Sequence, residues 1–461
     1  MRQGSIESWT IDHRSHDLRL TTGLRIPILA PLLVTTFYRL QIAGGTVPRQ
    51  GPVLLVANHP NSLLDPMVVL TAARRPVRFL AKAPLWDDPK TSWLVKLGRA
   101  IPVYRASDDP SKLARNATMF DAVHAALAAG DAVGLFPEGI SHSEPSITPL
   151  KTGAARIALG AAPLVGGAFP IIAVGLVFRE KEIFRSEGFA LVGEPIAWDD
   201  LAARGARDGD AVRELTDRID AAIRQQTLNL AQWEDAPLVD GAMEIWEAEQ
   251  RAAPEPAERI ARLAATTRIL AEVRAEPDAT TEALAREVTA HVRRLTRLGL
   301  RPADLGLDTT GRTAVGWATL RIPLLLPPWI AVAVVGWLLF VVPYQLTGVV
   351  VDRFTLERDT RSSWKLLIGA ALYAVWVVAL AIAAGLWLGW WFAAVTILLV
   401  PVIGLAGLLV RERWHGAWAD VRRWALLRSR RRLVETLRQT QHDLGRRLDQ
   451  LFTQHPPRGS R

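Results

Sequence analysis

The sequence predicts an α/β domain over about residues 45–200, followed by a helical region and C-terminal transmembrane helices. First, short apolar runs alternate with segments of helical spacing, a pattern typical of strands alternating with helices. Second, residues 199–307 are polar, rich in Ala, Arg and Glu, and helical in period. Third, residues 366–410 contain no charged residue and are long enough for two membrane crossings.

The predicted strands of the α/β domain are apolar runs bounded by Gly, Pro or polar residues. They cover residues 52–57, 77–82, 100–105, 131–136, 169–178 and 190–195. Helical spacing between them predicts helices from residue 67 onward and over 94–98, 112–129 and 151–160.

Residues 1–44 are predicted to form an N-terminal membrane-associated region. Within it, residues 24–43 are apolar but short, and Pro27 and Pro31 interrupt them. We therefore expect an interfacial helix or a packed lid there in place of a full membrane span. Residues 1–19 are polar and show no signal-peptide pattern.

The C-terminal third divides into predicted membrane segments over 311–410 and a basic cytoplasmic tail over 411–461. Residues 366–410 are expected to form a hairpin that turns at 385–391, with arginines on both flanks facing the cytoplasm. Residues 322–346 are apolar but contain four prolines, so a re-entrant or interfacial element is predicted.

Composition excludes several classes of chemistry. The chain of 461 residues has no cysteine, which rules out disulfides, thiolate metal sites and a cysteine acyl-enzyme. Its 17 tryptophans, many of them near the apolar segments, fit an interfacial aromatic belt. The net charge is +9. Nothing in the charged helical region over 201–310 indicates chemistry.

The motif that organises the chain is NHPNSLLDP over residues 58–66, directly after the first predicted strand. A loop there can present His59, and Asp65 can fix the imidazole tautomer so that the ring acts as a general base. Because residues six apart do not share a helix face, the chain must turn between them. The alternative interpretation makes Asp65 a helix N-cap, Pro66 the first helical residue and His59 an ordinary surface histidine.

Three further segments have both a functional and a structural interpretation. Arg105, after the third strand, is a candidate phosphate ligand or a surface ion pair. Glu138 and Gly139 bring a carboxylate and a flexible turn near a substrate oxygen, or form an ordinary turn between a strand and a helix. Lys151 is a candidate to neutralise phosphate, or a solvated lysine at a helix start.

Taken together, the blocks NH(x5)D, AIPVYR, FPEGISHS and FPIIAVGL resemble the phospholipid/glycerol acyltransferase (PlsC-like) family in order and approximate spacing. The resemblance covers about residues 45–200. Five residues separate His59 from Asp65, which is similar to the branch that includes fungal glycerol-3-phosphate and dihydroxyacetone-phosphate acyltransferases. The resemblance implies an acyltransferase domain with a mixed central sheet flanked by helices.

The resemblance also implies roles for the site residues. His59 deprotonates the acceptor hydroxyl, Asp65 orients His59 and stabilises the imidazolium, and the hydroxyl attacks the acyl thioester directly. No metal and no redox cofactor is implied. The residues implied to bind the acceptor are Arg105, Glu138, Gly139, Ser141 and Lys151. Glu138, itself anionic, is expected to orient Arg105 or a substrate hydroxyl.

These observations lead to the hypothesis of a membrane-bound O-acyltransferase in glycerophospholipid synthesis. The expected donor is acyl-CoA or, through an acyl carrier protein, acyl-ACP, and the expected acceptor is glycerol 3-phosphate or dihydroxyacetone phosphate. The alternatives are a 1-acylglycerol-3-phosphate or other lysophospholipid acyltransferase and a non-catalytic lipid-binding membrane protein. The expected location is the cell inner membrane, with the catalytic domain and tail cytoplasmic, and no nucleic acid is expected as a partner.

Overall fold

The computed structural model describes residues 26–89, 91–105, 110–250, 256–275, 278–307, 327–354 and 357–454. The chain divides into two compact units. The first unit consists of Met1–Ser141 and Pro149–Ile223, and the second of His142–Thr148 and Arg224–Arg461. The ends of two predicted segments, residues 24–25 and 322–326, lie outside the described residues. The boundaries of the five predicted domains stay predictions.

The first unit is built on a seven-stranded mixed sheet with the strand order β1-β7-β6-β2-β5-β3-β4. Every neighbouring pair is parallel except β6 and β7, which are antiparallel. The strands are β1 Arg39–Gly44, β2 Val53–Ala57, β3 Val77–Lys82, β4 Ile101–Val103, β5 Ala132–Leu135, β6 Ile171–Phe178 and β7 Glu187–Pro195. The predicted mixed sheet is therefore confirmed.

The central strands β2 and β5 are buried at every residue. A strand buried on both faces has no solvent side, so its sequence is a continuous apolar run and not an alternating one. This explains why these strands could be located from the sequence. Strands β2, β3, β4, β5 and β6 all run in the same direction. The loops that follow their carboxyl ends therefore share one edge of the sheet, where ligands bind in open α/β sheets.

The interfacial helix or packed lid expected over 24–43 does not extend to the end of that segment. A helix, α1, covers Ile26–Phe37, and the chain then becomes the edge strand β1. Strand β1 pairs in parallel with β7, from Arg39 opposite Glu187 to Gly44 opposite Val192. None of its residues is fully buried, so its sequence lacks the apolar pattern of the central strands. Its pairing partner lies about 150 residues away in sequence, and local sequence cannot show such a partner.

The helices of the first unit flank the sheet. After α1 they are α2 Leu64–Ala73, α3 Ser92–Leu97, α4 Asn116–Ala128, α5 Gly153–Val165, α6 Asp199–Ala202 and α7 Gly209–Gln225. The start of α2 corrects two expectations. The helix begins at Leu64, before residue 67, and Leu63 occupies the N-cap, so Asp65 lies inside the first turn.

The second unit is helical. Its helices are α8 Ala236–Glu249, α9 Pro256–Ala275, α10 Ala279–Leu298, α11 Pro327–Asp352, α12 Arg358–Leu388, α13 Trp390–Ser429 and α14 Arg431–Gln454. Three segments within α11, α12 and α13 are long and apolar enough to cross a membrane, namely Trp329–Asp352, Thr360–Leu388 and Trp390–Ser429. Large apolar side chains on them are exposed, including Leu386, Trp387 and Trp391. These features indicate membrane association.

Helix α11 differs from the prediction of a segment broken at its prolines. Pro327 and Pro328 begin the helix. Backbone N–H groups in the first turn have no intrahelical acceptor, so proline costs no hydrogen bond there. The helix continues through Pro343. The turn predicted within 385–391 is confirmed: Gly389, with φ +106°, separates α12 from α13. Packing between α11 and α13 is close, since a Cβ built on Gly407 would lie 2.9 Å from the Cα of Gly336.

The predicted basic tail is helical. Helix α13 continues to Ser429, and α14 buries one face, including Leu437, Leu444 and Phe452. Trp246 of α8 donates its indole N–H to Asp449 of α14 over 3.0 Å. Helix α14 is therefore packed onto the charged helical region. The arginine content of the tail, on which the prediction was based, does not reveal this packing.

Candidate active site

The candidate site lies at the edge of the sheet where β2 and β5 end. His59 follows β2 by two residues, and its Nδ1 lies 2.8 Å from Oδ2 of Asp65. The turn expected between them is present, since Leu64 N–H donates to the carbonyl of Asn61 and Ser62 adopts φ +48°. The predicted pair is therefore present: Asp65 contacts the imidazole of His59, and the N-cap position of the helix is occupied by Leu63.

Asp65 is fully buried, at 0% exposure, and its Oδ2 also accepts the backbone N–H of Asn61 at 2.6 Å. Burial raises the pKa of Asp65 above 3.8 because it penalises the charged carboxylate. The contacts with His59 and with the Asn61 N–H act against this rise by stabilising the ionised form. The contact with Asp65 assigns the proton of neutral His59 to Nδ1. Nε2 is then the nitrogen able to accept a proton.

The imidazole of His59 is also held by an aromatic ring that the sequence did not identify as part of the site. Phe136 stacks on it, with ring centroids 4.0 Å apart and planes within 7° of parallel. Phe79 is also stacked with Phe136, with ring centroids 5.9 Å apart. His59 keeps 18% of its side chain exposed, so the ring is fixed in orientation and still reachable. The only sequence signal for Phe136 was its position at the end of a strand.

Glu138 is almost fully buried and accepts the backbone N–H of His59 on Oε1 at 3.0 Å. The expectation for this residue was an orienting contact with Arg105 or a substrate hydroxyl. The structure places its carboxylate against the main chain that carries the candidate base. A role for Glu138 in substrate binding stays a prediction.

Two cationic side chains meet at Gly139. Arg105, two residues beyond β4, donates from Nη1 to the carbonyl of Gly139 at 3.0 Å. Lys151 donates its backbone N–H to Pro137 at 2.8 Å. Gly139 has φ +74°, and a Cβ built on it would lie 2.6 Å from Nζ of Lys151. Glycine is therefore required both by the backbone and by the approach of the lysine.

Ser141 links the two loops. Its hydroxyl oxygen accepts the backbone N–H of Ser62 at 3.1 Å, so the turn between His59 and Asp65 is tied to the loop after β5. All seven predicted site residues thus lie in the first unit, on loops at one edge of the sheet and around the starts of α2 and α5. Their functional roles stay predictions.

Other residues missed by the sequence analysis fix the loop that carries His59. Asn58 donates its side-chain amide to the carbonyl of Leu176 at 2.9 Å and accepts the Leu176 N–H at 2.7 Å, which fastens the loop to β6. Tyr38 and Lys181 contact the same turn, at Asn61 and at Pro60. Tyr38 lies immediately before β1 and Lys181 in the loop after β6, so no local motif contains them.

Comparison with known proteins places these residues in a class. Residues 39–177 match the family model "Acyltransferase". The chain is similar to glycerol-3-phosphate O-acyltransferase 2 of Saccharomyces cerevisiae, with 30% identity over 147 residues, 31% of this chain and 20% of that protein. It is also similar to glycerol-3-phosphate O-acyltransferase 1 of the same yeast, with 32% identity over 120 residues, 24% of this chain and 16% of that protein. The match thus spans a fifth or less of the length of these relatives.

Among solved structures, the 1-acyl-sn-glycerophosphate acyltransferase PlsC of Thermotoga maritima gives a TM-score of 0.35 at 18% identity, over 46% of this chain and 82% of that chain. So low a TM-score carries no argument by itself. The family match and the sequence blocks agree on the same segment. Residues 39–177 are therefore similar to the acyltransferase family, and the sequence blocks that resemble PlsC-like phospholipid/glycerol acyltransferases lie in the same part of the chain.

Proposed function

We propose that the protein is a membrane-bound glycerolipid O-acyltransferase that moves a fatty acyl chain from a thioester to the hydroxyl of glycerol 3-phosphate or dihydroxyacetone phosphate. The observation that carries the proposal is the His59–Asp65 pair, 2.8 Å apart, on the same sheet edge as Arg105 and Lys151. The pair supplies a base for a hydroxyl, and the two cations supply charge for a phosphate.

In the proposed reaction, Nε2 of His59 takes the proton of the acceptor hydroxyl as its oxygen attacks the thioester carbonyl carbon. The buried carboxylate of Asp65 stabilises the imidazolium that forms. The tetrahedral intermediate then collapses, the carbon–sulfur bond breaks, and the imidazolium returns the proton to the leaving thiolate. Each bond formed has a bond broken, and the step needs no metal, redox cofactor or cysteine.

Arg105 and Lys151 are proposed to hold the acceptor phosphate beside Gly139. Their side chains reach the same turn from β4 and from the segment before α5. Glu138 and Ser141 are proposed to act next to them by fixing the loop geometry, since both accept backbone N–H groups of the His59 loop. Pre-organised loops of this kind bring reacting atoms to attack distance before reaction.

The acceptor is proposed from two features together. The two yeast relatives are named glycerol-3-phosphate O-acyltransferases, and the five-residue spacing between His59 and Asp65 resembles their branch. A 1-acylglycerol-3-phosphate acceptor remains the second candidate, because the same phosphate chemistry would serve it. A non-catalytic lipid-binding protein is disfavoured by the intact His59–Asp65 pair. The proposed location is the inner membrane, with the acyltransferase domain and the C-terminal tail in the cytoplasm.

The proposal is tested with the full chain purified in detergent and reconstituted into liposomes. Radiolabelled palmitoyl-CoA is offered with glycerol 3-phosphate, dihydroxyacetone phosphate or 1-acylglycerol 3-phosphate, and the same acceptors are offered with palmitoyl-ACP. Label in a lysophosphatidate, or in its dihydroxyacetone counterpart, is the expected result. Label only in phosphatidate would move the assignment to the second acylation. Absence of label in every reaction would contradict an acyltransferase of this class.

A further inference from the structure

The turn between His59 and Asp65 contacts two residues that lie just outside the segment matched by the acyltransferase family model. Lys181, in the loop after β6, donates from Nζ to the carbonyl of Pro60 at 2.8 Å. Tyr38, immediately before β1, accepts on its hydroxyl the side-chain amide N–H of Asn61 at 2.7 Å. The family match covers 39–177, so neither contact belongs to the matched pattern.

The two contacts are parts of one network. The Tyr38 hydroxyl that accepts from Asn61 donates to the main-chain carbonyl of Lys181. Tyr38 and Asn61 are both fully buried. The main chain of Lys181 therefore fixes Tyr38, which in turn contacts Asn61. The side chain of Lys181 contacts Pro60, the residue next to His59. Buried hydrogen bonds of this kind hold the side chains that make them in one geometry.

The two supporting segments are themselves fastened to each other. The backbone N–H of Arg185 donates to the carbonyl of Phe37 at 2.6 Å, and the backbone N–H of Arg39 donates to the carbonyl of Ser186 at 2.9 Å. Arg185 also donates from Nη1 to the carbonyl of Thr35 at 2.9 Å. Lys181 and Tyr38 thus lie on segments that are hydrogen-bonded to each other, namely the end of α1, the start of β1 and the loop after β6.

The turn that they hold needs outside support. It contains Ser62 at φ +48°, a backbone conformation that costs energy in a residue other than glycine. Such a conformation persists only where surrounding contacts determine it. Asn61 supplies one of the two hydrogen bonds to Oδ2 of Asp65, so a movement of Asn61 changes the position of the carboxylate that orients His59.

We propose that Lys181 and Tyr38 are positioning residues that hold the turn between His59 and Asp65 in its reactive geometry. The inference rests on the proposed function and adds two residues to its site. Lys181 is not placed on the substrate; it acts through Pro60 and Asp65. The titratable groups that act on Asp65 are His59 and Lys181, and the positive charge of Lys181 opposes the rise that burial causes in the pKa of Asp65.

Four variants test the proposal in reconstituted full chain. Lys181→Met removes the cation and its hydrogen bond, whereas Lys181→Arg keeps both. Tyr38→Phe removes only the hydroxyl and retains the ring, which packs against Phe37 and Phe178 at centroid distances of 4.8 and 4.9 Å. Lys96→Met, on an exposed lysine in α3, is the matched control for loss of one positive charge.

We expect Lys181→Met and Tyr38→Phe each to lower kcat, by up to about 100-fold, with KM for the acceptor nearly unchanged, because a misplaced base affects the chemical step. Lys181→Arg should restore most of the activity, and Lys96→Met should behave as wild type. In the pH profile of kcat, the fall in rate on the acid side should move to higher pH in Lys181→Met and stay in place in Tyr38→Phe. The double variant should lose less than the product of the single losses, because both residues hold one turn.

A second measurement does not require turnover. Diethyl pyrocarbonate modifies accessible histidines, and peptide mapping reports His59 separately from His442, which is 67% exposed and serves as an internal reference. Faster modification of His59 in Lys181→Met and Tyr38→Phe, with His442 unchanged, supports the positioning role. Wild-type labelling and kcat in both variants would overturn it while leaving the proposed function standing. Absence of turnover in wild type, with faster His59 labelling in the variants, would overturn the proposed function alone.

Discussion

In the acyltransferase domain the apolar side chains of β2 and β5 are buried and the polar residues of the His59 loop have hydrogen-bond partners. In helices α11–α13 the relation is reversed, because large apolar side chains such as Trp387 and Leu398 are exposed on the helix surfaces. Apolar residues thus build a core in one region and a surface for lipid in the other. The first arrangement is sensitive to single atoms, whereas the second depends on length and overall hydropathy.

The largest expected effect is on His59. His59→Ala removes the only proposed base, so transfer should fall by about 10²- to 10⁴-fold while the variant keeps the wild-type melting curve. The measurement is the initial rate of label transfer to the acceptor that wild type uses. His442→Ala, at an exposed histidine of the second unit, is the control and should keep full activity. A rate for His59→Ala within tenfold of wild type would remove His59 from the mechanism.

The next prediction concerns the lipid surface. Leu398, 70% exposed on α13, lies near the middle of its apolar part, so Leu398→Arg should disfavour insertion by about 2.5–3.5 kcal/mol. The chain has no cysteine, so Thr396→Cys introduces a single thiol for labelling by a membrane-impermeant maleimide. The thiol should be protected from the maleimide when residue 398 is leucine and should be labelled when Leu398→Arg is added.

The control for this prediction is a similarly exposed leucine in the other region. Leu164→Arg, at a leucine 59% exposed on α5, should leave the Thr396→Cys thiol protected. Labelling of that thiol before any arginine is introduced would argue against a membrane-spanning α13.

Gly139 tests how closely the acyltransferase domain is built around single atoms. Gly139→Ala adds a Cβ at a residue with φ +74°, 2.6 Å from Nζ of Lys151, which should cost about 1–3 kcal/mol of stability and displace the lysine. KM for the phosphorylated acceptor should rise by about tenfold, with a smaller change in kcat, because phosphate binding is weakened. Steady-state kinetics over acceptor concentration measures both constants.

Gly166 provides the matched control. It has φ +86°, and an added Cβ would meet nothing within 4 Å, so Gly166→Ala shares the backbone strain without the contact to Lys151. We expect a comparable loss of stability and an unchanged KM. An equal rise of KM in both alanine variants would show that strain, and not Lys151, governs acceptor binding.

The smallest effect is a pH dependence of stability. Burial raises the pKa of Asp65 in the folded state, so this group stabilises the fold below pH 3.8 and loses that contribution as pH rises through its folded-state pKa. Asp65→Asn is neutral at every pH and lacks this loss. The melting temperature of Asp65→Asn relative to wild type should therefore increase from acid to neutral pH. A difference that does not change with pH would contradict burial as the dominant cause.

Some features could be predicted because their cause is local. The buried strands, the turn at Gly389 and the apolar helices follow from residue type and hydropathy within short windows. The proximity of His59 and Asp65 was also predictable, since the five residues between them include Pro60 and Asn61, which favour a turn. These features depend on neighbours in sequence, and one chain is enough to show them.

Other features depended on partners far apart in sequence. Strand β1 exists because β7 pairs with it, and the contact of Glu138 with the His59 N–H joins residues 79 positions apart. The stacking of Phe136 on His59 and the network of Tyr38, Asn61 and Lys181 arise in the same way. Sequence by itself determined which candidate catalytic side chains are present and which segments are apolar enough to associate with lipid. Only the tertiary structure decided which side chains hold the base in place, because adjacent parallel strands bring distant loops to one edge of the sheet.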